Sequence, residues 1–304
     1  MKYLYYPGCS LKSTGRAYEE SLVAVLGVLG VPFEELEDWN CCGATSYMSV
    51  DEGKALALAA RNLAIAERQG KVEEGGEVSV VAPCSACFQA LNKVQHNIEE
   101  NEKIGSQINA ALGAAGLHYG GRVRTQHPLD IFVNDIGMDR IRKLVSKPLN
   151  GLRVASYYGC QLVRPYSPFD DQHDPKTMDQ IVEALGGEPV DWPLKTRCCA
   201  GTLTGTIQKV GLRLNYILLK EAIKRGAEVM ITSCPLCQFN LECFQGSISH
   251  MYGEAIRLPV AFFTQLMGVA LGLSAKELGL KRLFVPLEPA LAAPRRKGGD
   301  LVHV

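Results

Sequence analysis

Ten of the 11 cysteines in this chain of 304 residues fall into two sets that share one order. Each set begins with a single Cys, continues with an adjacent Cys-Cys pair and ends with a Cys-x-x-Cys pair. The first set consists of Cys9, Cys41, Cys42, Cys84 and Cys87, and the second of Cys160, Cys198, Cys199, Cys234 and Cys237. Self-similarity of this kind predicts two copies of one structural unit, each bringing five distant thiols together.

The residues around the cysteines repeat as well. The single cysteine follows Tyr-Tyr-Pro-Gly in the first set and Tyr-Tyr-Gly in the second. We therefore predict two cysteine-rich domains, one at 1–149 and the other at 150–285, divided at the turn-rich stretch 147–151. Residues 286–304 are predicted to form a mobile C-terminal tail.

The pattern of apolar residues predicts strands that alternate with helices. Short apolar runs stand directly before a single Cys or a Cys-x-x-Cys pair, at 2–6, 77–82, 153–157 and 228–232. Apolar residues at helical spacing occur at 51–69, 205–224 and 258–273. This alternation indicates an α/β fold with two pseudo-symmetric domains, each a small, mainly parallel sheet flanked by helices. Ligands of such sheets bind at the carboxyl ends of the strands, where these cysteines are expected.

Charge and hydropathy exclude several classes of protein. Lys and Arg together number 32, as do Asp and Glu, so no basic field exists to attract nucleic acid. No apolar run reaches the ~20 residues that a membrane span needs, and we expect no membrane contact. The first residues show no secretory signal, which indicates a cytoplasmic protein. Disulfides rarely persist in the reducing cytoplasm, so the cysteines point to metal or redox chemistry.

Five thiols in each set are more than common metal sites use. A structural zinc takes four ligands, and an ordinary cubane iron–sulfur cluster takes four cysteines. A fifth thiol suggests that one sulfur bridges two irons or that the cluster is not a regular cube. We expect Cys84 and Cys234 to begin helices, whose free N–H groups stabilise thiolates. A structural zinc and a set of buried core cysteines remain the alternatives.

Other residues carry weaker signals. Cys243 lies outside the repeat, and we expect it to be a small core residue. The six histidines show no ligand spacing, and His127 is predicted to be a helix cap or a buried polar group. No phosphate-binding loop, dinucleotide fingerprint or nucleophile elbow is present in the sequence.

The doubled pattern C-x31-CC-x41-C-x2-C and C-x37-CC-x34-C-x2-C resembles the cysteine-rich CCG domain family, in particular the B subunit of heterodisulfide reductase. The segments Tyr-Pro-Gly-Cys-Ser near the start and Cys-Pro-Leu-Cys-Gln-Phe-Asn at 234–240 are similar as well. The resemblance covers roughly residues 1–285. One departure is Cys-Cys-Ala-Gly in the second set in place of Cys-Cys-Gly, and we expect a small cost because Gly201 remains.

The resemblance implies two non-cubane [4Fe-4S] clusters that face each other across the domain interface. A disulfide clamped between them would be cleaved, with one electron from each cluster, and no protein side chain would act as nucleophile. The implied ligands of the first cluster are Cys9, Cys41, Cys42, Cys84 and Cys87, and those of the second are Cys160, Cys198, Cys199, Cys234 and Cys237.

The resemblance also implies partners: a ferredoxin-like C subunit, a flavin-containing A subunit, and as substrate a small heterodisulfide or a carrier-protein disulfide. Two further functions stay open. The chain could be an electron-transfer subunit that links a dehydrogenase to quinone, or a zinc-binding scaffold.

Overall fold

The computed structural model describes residues 3–44, 46–71, 76–166 and 168–293. Within these ranges the chain forms two four-stranded sheets in which every strand pair is parallel. The sheets are flanked by helices, and the predicted α/β fold class is confirmed. The part of the predicted tail at 294–304 lies outside the described residues.

The two sheets have the same strand order. The first sheet contains β1 (Tyr3–Tyr5), β2 (Phe33–Glu35), β3 (Val78–Val81) and β4 (Val123–Gln126), ordered β2-β1-β3-β4. The second contains β5 (Arg153–Tyr157), β6 (Glu188–Pro189), β7 (Val229–Thr232) and β8 (Val260–Phe262), ordered β6-β5-β7-β8. In both, the strand before the single cysteine pairs with the strand before the Cys-x-x-Cys pair. The repeated topology is what the repeated sequence predicts.

The helices follow a similar but not identical succession in the two parts of the chain. In the first part they are α1 (Gly8–Leu11), α2 (Arg16–Val28), α3 (Ser46–Val50), α4 (Glu52–Gly70), α5 (Ser85–Glu100), α6 (Glu102–Gly113), α7 (Pro128–Asp130) and α8 (Met138–Leu144). A π-helical segment, Ile131–Ile136, follows α7. In the second part they are α9 (Thr177–Ala184), α10 (Leu203–Thr206), α11 (Gln208–Lys224), α12 (Pro235–Cys243), α13 (Gln245–Tyr252), α14 (Phe263–Ala270) and α15 (Glu288–Ala292), with a 3₁₀ turn at Leu280–Arg282.

The four predicted strands agree with observed strands to within one residue at either end. Their side chains are almost all buried, as expected for parallel strands covered by helices on both faces. Two helix predictions need correction. The predicted core helix at 258–273 was wrong at its start, because β8 precedes α14. The predicted helix at 205–224 is broken at Ile207, whose φ of −120° is not helical.

The two halves share one continuous apolar core. Helix α2 of the first half packs against α14 of the second. The Tyr18 ring stacks on Phe262 with centroids 4.5 Å apart, and the hydroxyls of Ser21 and Thr264 lie 2.6 Å apart. Leu287, near the start of the predicted tail, is also buried in this core. Each half therefore completes its apolar packing against the other.

No helix in the described parts of the chain is long and apolar enough to span a membrane.

The shared core predicts that Phe262→Ala strongly destabilises the protein. Phe262 is 1% exposed, so truncation removes the stack on Tyr18 and leaves a cavity, at a cost of about 3–5 kcal/mol in the free energy of unfolding. Denaturant unfolding of the anaerobically purified protein measures the loss. Phe284→Ala is the matched control, because Phe284 is 65% exposed and its loss should cost less than about 0.5 kcal/mol. Equal losses for the two variants would contradict a core shared between the halves.

Candidate functional site

All ten predicted site cysteines line one cavity of about 760 Å³. The cavity lies at the carboxyl ends of the central strands, because the single cysteines follow β1 and β5 and the Cys-x-x-Cys pairs follow β3 and β7. The Cys-Cys pairs lie in the loops after β2 and β6. Parallel pairing therefore brings three separate parts of each half to the same edge of its sheet.

The two sets of thiols have matching internal contacts. The Sγ atoms of Cys42 and Cys87 are 3.4 Å apart, and those of Cys199 and Cys237 are also 3.4 Å apart. Within the first set the Sγ atoms of Cys9 and Cys41 are 3.8 Å apart. The pseudo-symmetry thus extends from the strand order to individual sulfur atoms.

Each set presents three buried thiols and two thiols nearer solvent. The second cysteine of each Cys-Cys pair and both members of each Cys-x-x-Cys pair are buried: Cys42, Cys84, Cys87, Cys199, Cys234 and Cys237. Cys9, Cys41 and Cys198 are exposed, and Cys160 is half-buried. A group bound in either set would be enclosed on the protein side and open toward the cavity.

The two halves meet where the Cys-x-x-Cys helices begin. Cys84 caps α5 and Cys234 caps α12, which confirms the prediction that both cysteines begin helices. The next residue of the first half, Ser85, has its hydroxyl 3.2 Å from the hydroxyl of Ser233, the residue before Cys234. The two cysteine sets are therefore neighbours across one interface.

Hydrogen bonding prepares several of the thiols for ionisation. Hydrogen bonds from Cys41 and Cys87 hold the pKa of Cys42 well below its usual value, and a hydrogen bond from Cys237 lowers that of Cys199. A hydrogen bond from Cys160 lowers the pKa of Cys198 to about 6. Thiolates are the form in which cysteine binds metals, so these thiols are the readier ligands of their sets. The same hydrogen bonds raise the pKa of their partners, Cys41, Cys87, Cys160 and Cys237, which bind a metal only after losing a proton.

The backbone at Gly8 and Gly159 leaves room for the thiols. A Cβ atom at Gly8 would lie 2.9 Å from Cys87 Sγ, and one at Gly159 would lie 3.2 Å from Cys237 Sγ. Both glycines also have a left-handed backbone, with φ of +67° and +68°. Only glycine satisfies both constraints.

The donor set distinguishes between zinc and an iron–sulfur cluster. A zinc ion needs about four ligands around one point. A four-iron cluster does not need such a point, because its cysteines bind different irons. Five thiols spread around a recess fit a polynuclear cluster in each set.

A buried hydroxyl also fits a bound group. Tyr18 is fully buried, and its hydroxyl has no hydrogen-bond partner among the described residues. Desolvation raises the pKa of Tyr18 well above its usual value, with further contributions that include Cys84 and Cys234, one from each set. A neutral phenol near one thiol of each set could donate to sulfur of a bound cluster.

Two tyrosines that sequence reasoning missed position the Cys-Cys loops. The Tyr6 hydroxyl donates to the carbonyl of Asn40 at 2.8 Å, and the Tyr157 hydroxyl donates to the carbonyl of Arg197 at 2.6 Å. Each carbonyl belongs to the residue directly before a Cys-Cys pair. Burial raises the pKa of both tyrosines, so both remain neutral donors. The tyrosine that precedes each single cysteine was the available signal.

His127 supports the neighbouring Cys84 loop. Its Nδ1 accepts a hydrogen bond from the Leu129 N–H, and its Nε2 lies 2.9 Å from the carbonyl of Pro83. Burial lowers the pKa of His127 to about 3, so the ring is neutral. The prediction of a helix cap and buried polar group is confirmed. Cys243 is half-buried and away from the cavity lining, and the prediction of a core residue is met only in part.

The model of the cysteine-rich domain, CCG, matches residues 3–92 and 154–242. The chain belongs to this family. The two matched stretches contain the two sets of cysteines, and the predicted family is confirmed.

Curated relatives span nearly the whole chain. The membrane anchor subunit of 8-methylmenaquinol:fumarate reductase from Wolinella succinogenes is 31% identical, covering 92% of this chain and 95% of that protein. The B subunit of the ferredoxin/F420H2-dependent CoB-CoM heterodisulfide reductase from Methanosarcina acetivorans is 26% identical, with 91% of each chain covered. A protein from Archaeoglobus profundus, named as similar to the heterodisulfide reductase B subunit, is 24% identical, covering 91% of this chain and 93% of that protein.

A solved structure of a hypothetical protein from Helicobacter pylori has a similar fold. It superposes with a TM-score of 0.74 at 15% identity, covering 94% of this chain and 52% of that chain. The curated relatives agree with the predicted role as a redox subunit of the iron–sulfur kind. The number and type of the clusters, the ligand assignment and the domain boundaries stay predictions.

The close approach of Gly8 to Cys87 predicts that Gly8→Ala is costly. The substitution combines left-handed strain of about 1–2 kcal/mol with a contact against sulfur. Gly116→Ala is the matched control, because Gly116 has a φ of +66° and a Cβ atom there would have no neighbour within 4 Å. Denaturant unfolding should show Gly8→Ala to be less stable than the control by about 1–3 kcal/mol. Equal stability would mean that the Cys87 thiol does not restrict this position.

Proposed function

We propose that this chain is the catalytic iron–sulfur subunit of a heterodisulfide reductase-like complex, in which a disulfide is cleaved or formed between two non-cubane [4Fe-4S] clusters. The observation that carries the proposal is the single cavity lined by both cysteine sets. Two separate recesses would suit a relay of electrons. A shared recess allows two redox centres to act on one substrate.

Ten thiols of this chain would hold the two clusters. The first set is Cys9, Cys41, Cys42, Cys84 and Cys87, and the second is Cys160, Cys198, Cys199, Cys234 and Cys237. When bound, each cluster supplies one-electron redox chemistry and iron sites that accept sulfur. Cleavage of one disulfide consumes two electrons and two protons and yields two thiols. No nucleophilic side chain of the protein is required.

The chemical character of the cavity lining indicates which substrates fit it. Besides cysteine, the described lining contains small, apolar or neutral polar residues, and no Lys, Arg, Asp or Glu. The polar side chains of this lining that could hydrogen-bond a substrate are Ser10, Ser49, Gln161 and Thr202. The buried inner thiols keep water from the far side of each set. We infer that the part of the substrate entering the cavity is uncharged around its disulfide.

Electrons must arrive from other subunits, because the sequence contains no nucleotide-binding or flavin-binding motif. We propose that these partners are a ferredoxin-like C subunit and a flavin-containing A subunit. The relatives named as heterodisulfide reductase subunits support the presence of partner subunits.

A second candidate is an electron-transfer subunit that links a dehydrogenase to quinone. The relative at 31% identity, named as a subunit of 8-methylmenaquinol:fumarate reductase, favours it. The cysteine sets would serve either function, so the reaction itself must distinguish them.

Metal content tests cluster binding. Protein purified without oxygen should contain about eight irons and matching acid-labile sulfide per chain, because each set would hold four irons. Cys84→Ala should reduce the content to about four irons by removing one buried ligand. Cys243→Ala is the matched control and should keep about eight, since Cys243 lies outside both sets. Zinc, or about four irons in the unmodified protein, would contradict the two-cluster proposal.

Oxidation of the reduced protein distinguishes the two functions. Chemically reduced protein should be reoxidised by a small neutral disulfide, with release of two thiols per disulfide consumed. The absorbance of the clusters and a thiol assay measure both sides of this balance. Reoxidation by a soluble quinone, with no thiol release from any disulfide tried, would favour the quinone-linked function instead.

A further inference from the structure

Asn240 is a buried amide that contacts the second cysteine set. It lies on α12, three residues after Cys237, and is 0% exposed. Its Nδ2 is 3.5 Å from Cys199 Sγ, within the range of an N–H···S hydrogen bond. Its charge is zero and it is not a cysteine, so it was absent from the predicted site.

The orientation of the amide is fixed by its other partners. Nδ2 also lies 2.8 Å from the carbonyl oxygen of Gly201 and 3.2 Å from that of Cys199. Its Oδ1 accepts a hydrogen bond from the Thr204 hydroxyl at 2.8 Å. Rotating the amide by 180° would place Oδ1 against two carbonyl oxygens. The donor group therefore faces the sulfur, with one hydrogen shared between the carbonyl and thiol of Cys199.

The first half has no amide at the position that corresponds to Asn240. The residue three positions after Cys87 is Ala90, which is buried and has no polar side chain. The backbone donors do match, because the N–H of Ala44 donates to Cys42 and the N–H of Gly201 donates to Cys199. The side-chain amide is thus one difference between the surroundings of Cys199 and those of Cys42, and the hydrogen bond from Cys41 to Cys42 is another.

The residue after the Cys-Cys pair also differs between the two halves. Gly43, after Cys42, has a φ of +71°, and the corresponding residue after Cys199 is Ala200, with a φ of +78°. The expectation that Gly201 alone would meet the need for glycine was therefore incomplete. A left-handed alanine is strained by about 1–2 kcal/mol. Asn240 bonds the carbonyls of Cys199 and Gly201, which flank Ala200, and so holds this turn in place.

We propose that Asn240 is a positioning residue that raises the reduction potential at the second cysteine set above that at the first. The proposal rests on the proposed function, because it requires a cluster in each set. Reduction adds negative charge to the cluster and its sulfur ligands, and a hydrogen-bond donor stabilises that charge. The first electron to reach the pair of clusters then resides at the second set.

The first half of the chain shows which variant of the second half to make. Ala200→Gly/Asn240→Ala gives the second half the glycine and alanine that the first half has naturally, which relieves the strain as it removes the amide. Asn240→Ala alone removes the amide and keeps the strain. Asn215→Ala is the matched control, because Asn215 is also 0% exposed and its Nδ2 donates to the carbonyl of Gly211 and not to sulfur.

Potentiometric titration followed by electron paramagnetic resonance gives the midpoint potential of each cluster. In the double variant, with its iron content unchanged, the midpoint potential of the second-set cluster should become more negative and that of the first-set cluster should not change. The expected shift is up to tenfold in the one-electron equilibrium constant, or about 59 mV. The Asn215→Ala control should change neither potential, although it lowers stability.

Any other result of the titration either contradicts the proposal or calls for a second measurement. Unchanged potentials in a fully loaded double variant would show that Asn240 only supports the turn. If the variants lose the second cluster, the unmodified protein labelled with ¹⁵N-asparagine decides: a hyperfine coupling from the amide nitrogen to one reduced cluster is expected, and its absence overturns the proposal. Fewer than about eight irons in the unmodified protein is instead a failure of the proposed function.

Discussion

The crowding of ten thiols around one cavity is the constraint on which the rest of this structure depends. Six of these thiols are buried, and two pairs approach to 3.4 Å. Buried thiolates repel one another and lose hydration, so they require hydrogen-bond donors and a positively charged group between them. The helix N-termini at Cys84 and Cys234 provide N–H donors and partial positive charge, and the glycines at 8 and 159 leave room for the thiols.

The shared core between the halves follows from the same constraint. If both cysteine sets are to face one recess, the two sheets must be fixed relative to each other. Packing of α2 against α14, with Tyr18 stacked on Phe262, provides that rigidity through apolar contacts. The residues that line the recess can then be small and neutral, because the packing of α2 against α14 already holds the two halves in place.

The two halves are pseudo-symmetric, but their two cysteine sets are not equivalent. Tyr6 and Tyr157 make the same hydrogen bond in each half, to the carbonyl before the Cys-Cys pair. Asn240 and Ala200 stand where the first half has Ala90 and Gly43. A reaction that takes two electrons from two centres does not require equal potentials, and an inequality gives the transfer an order. The two halves thus share one framework, and a few substitutions distinguish the second cysteine set from the first.

The sequence alone determined the family, the fold class and the central strands, because cysteine spacing and buried apolar runs are local properties of the chain. It placed β1, β3, β5 and β7 to within one residue. It misplaced the start of α14 because a short buried strand and a buried helix both read as apolar residues. Only the tertiary structure showed that both cysteine sets line a single cavity and that Asn240 reaches Cys199. The single cavity depends on the packing of one half against the other, and the Asn240–Cys199 contact joins residues 41 positions apart within the second half.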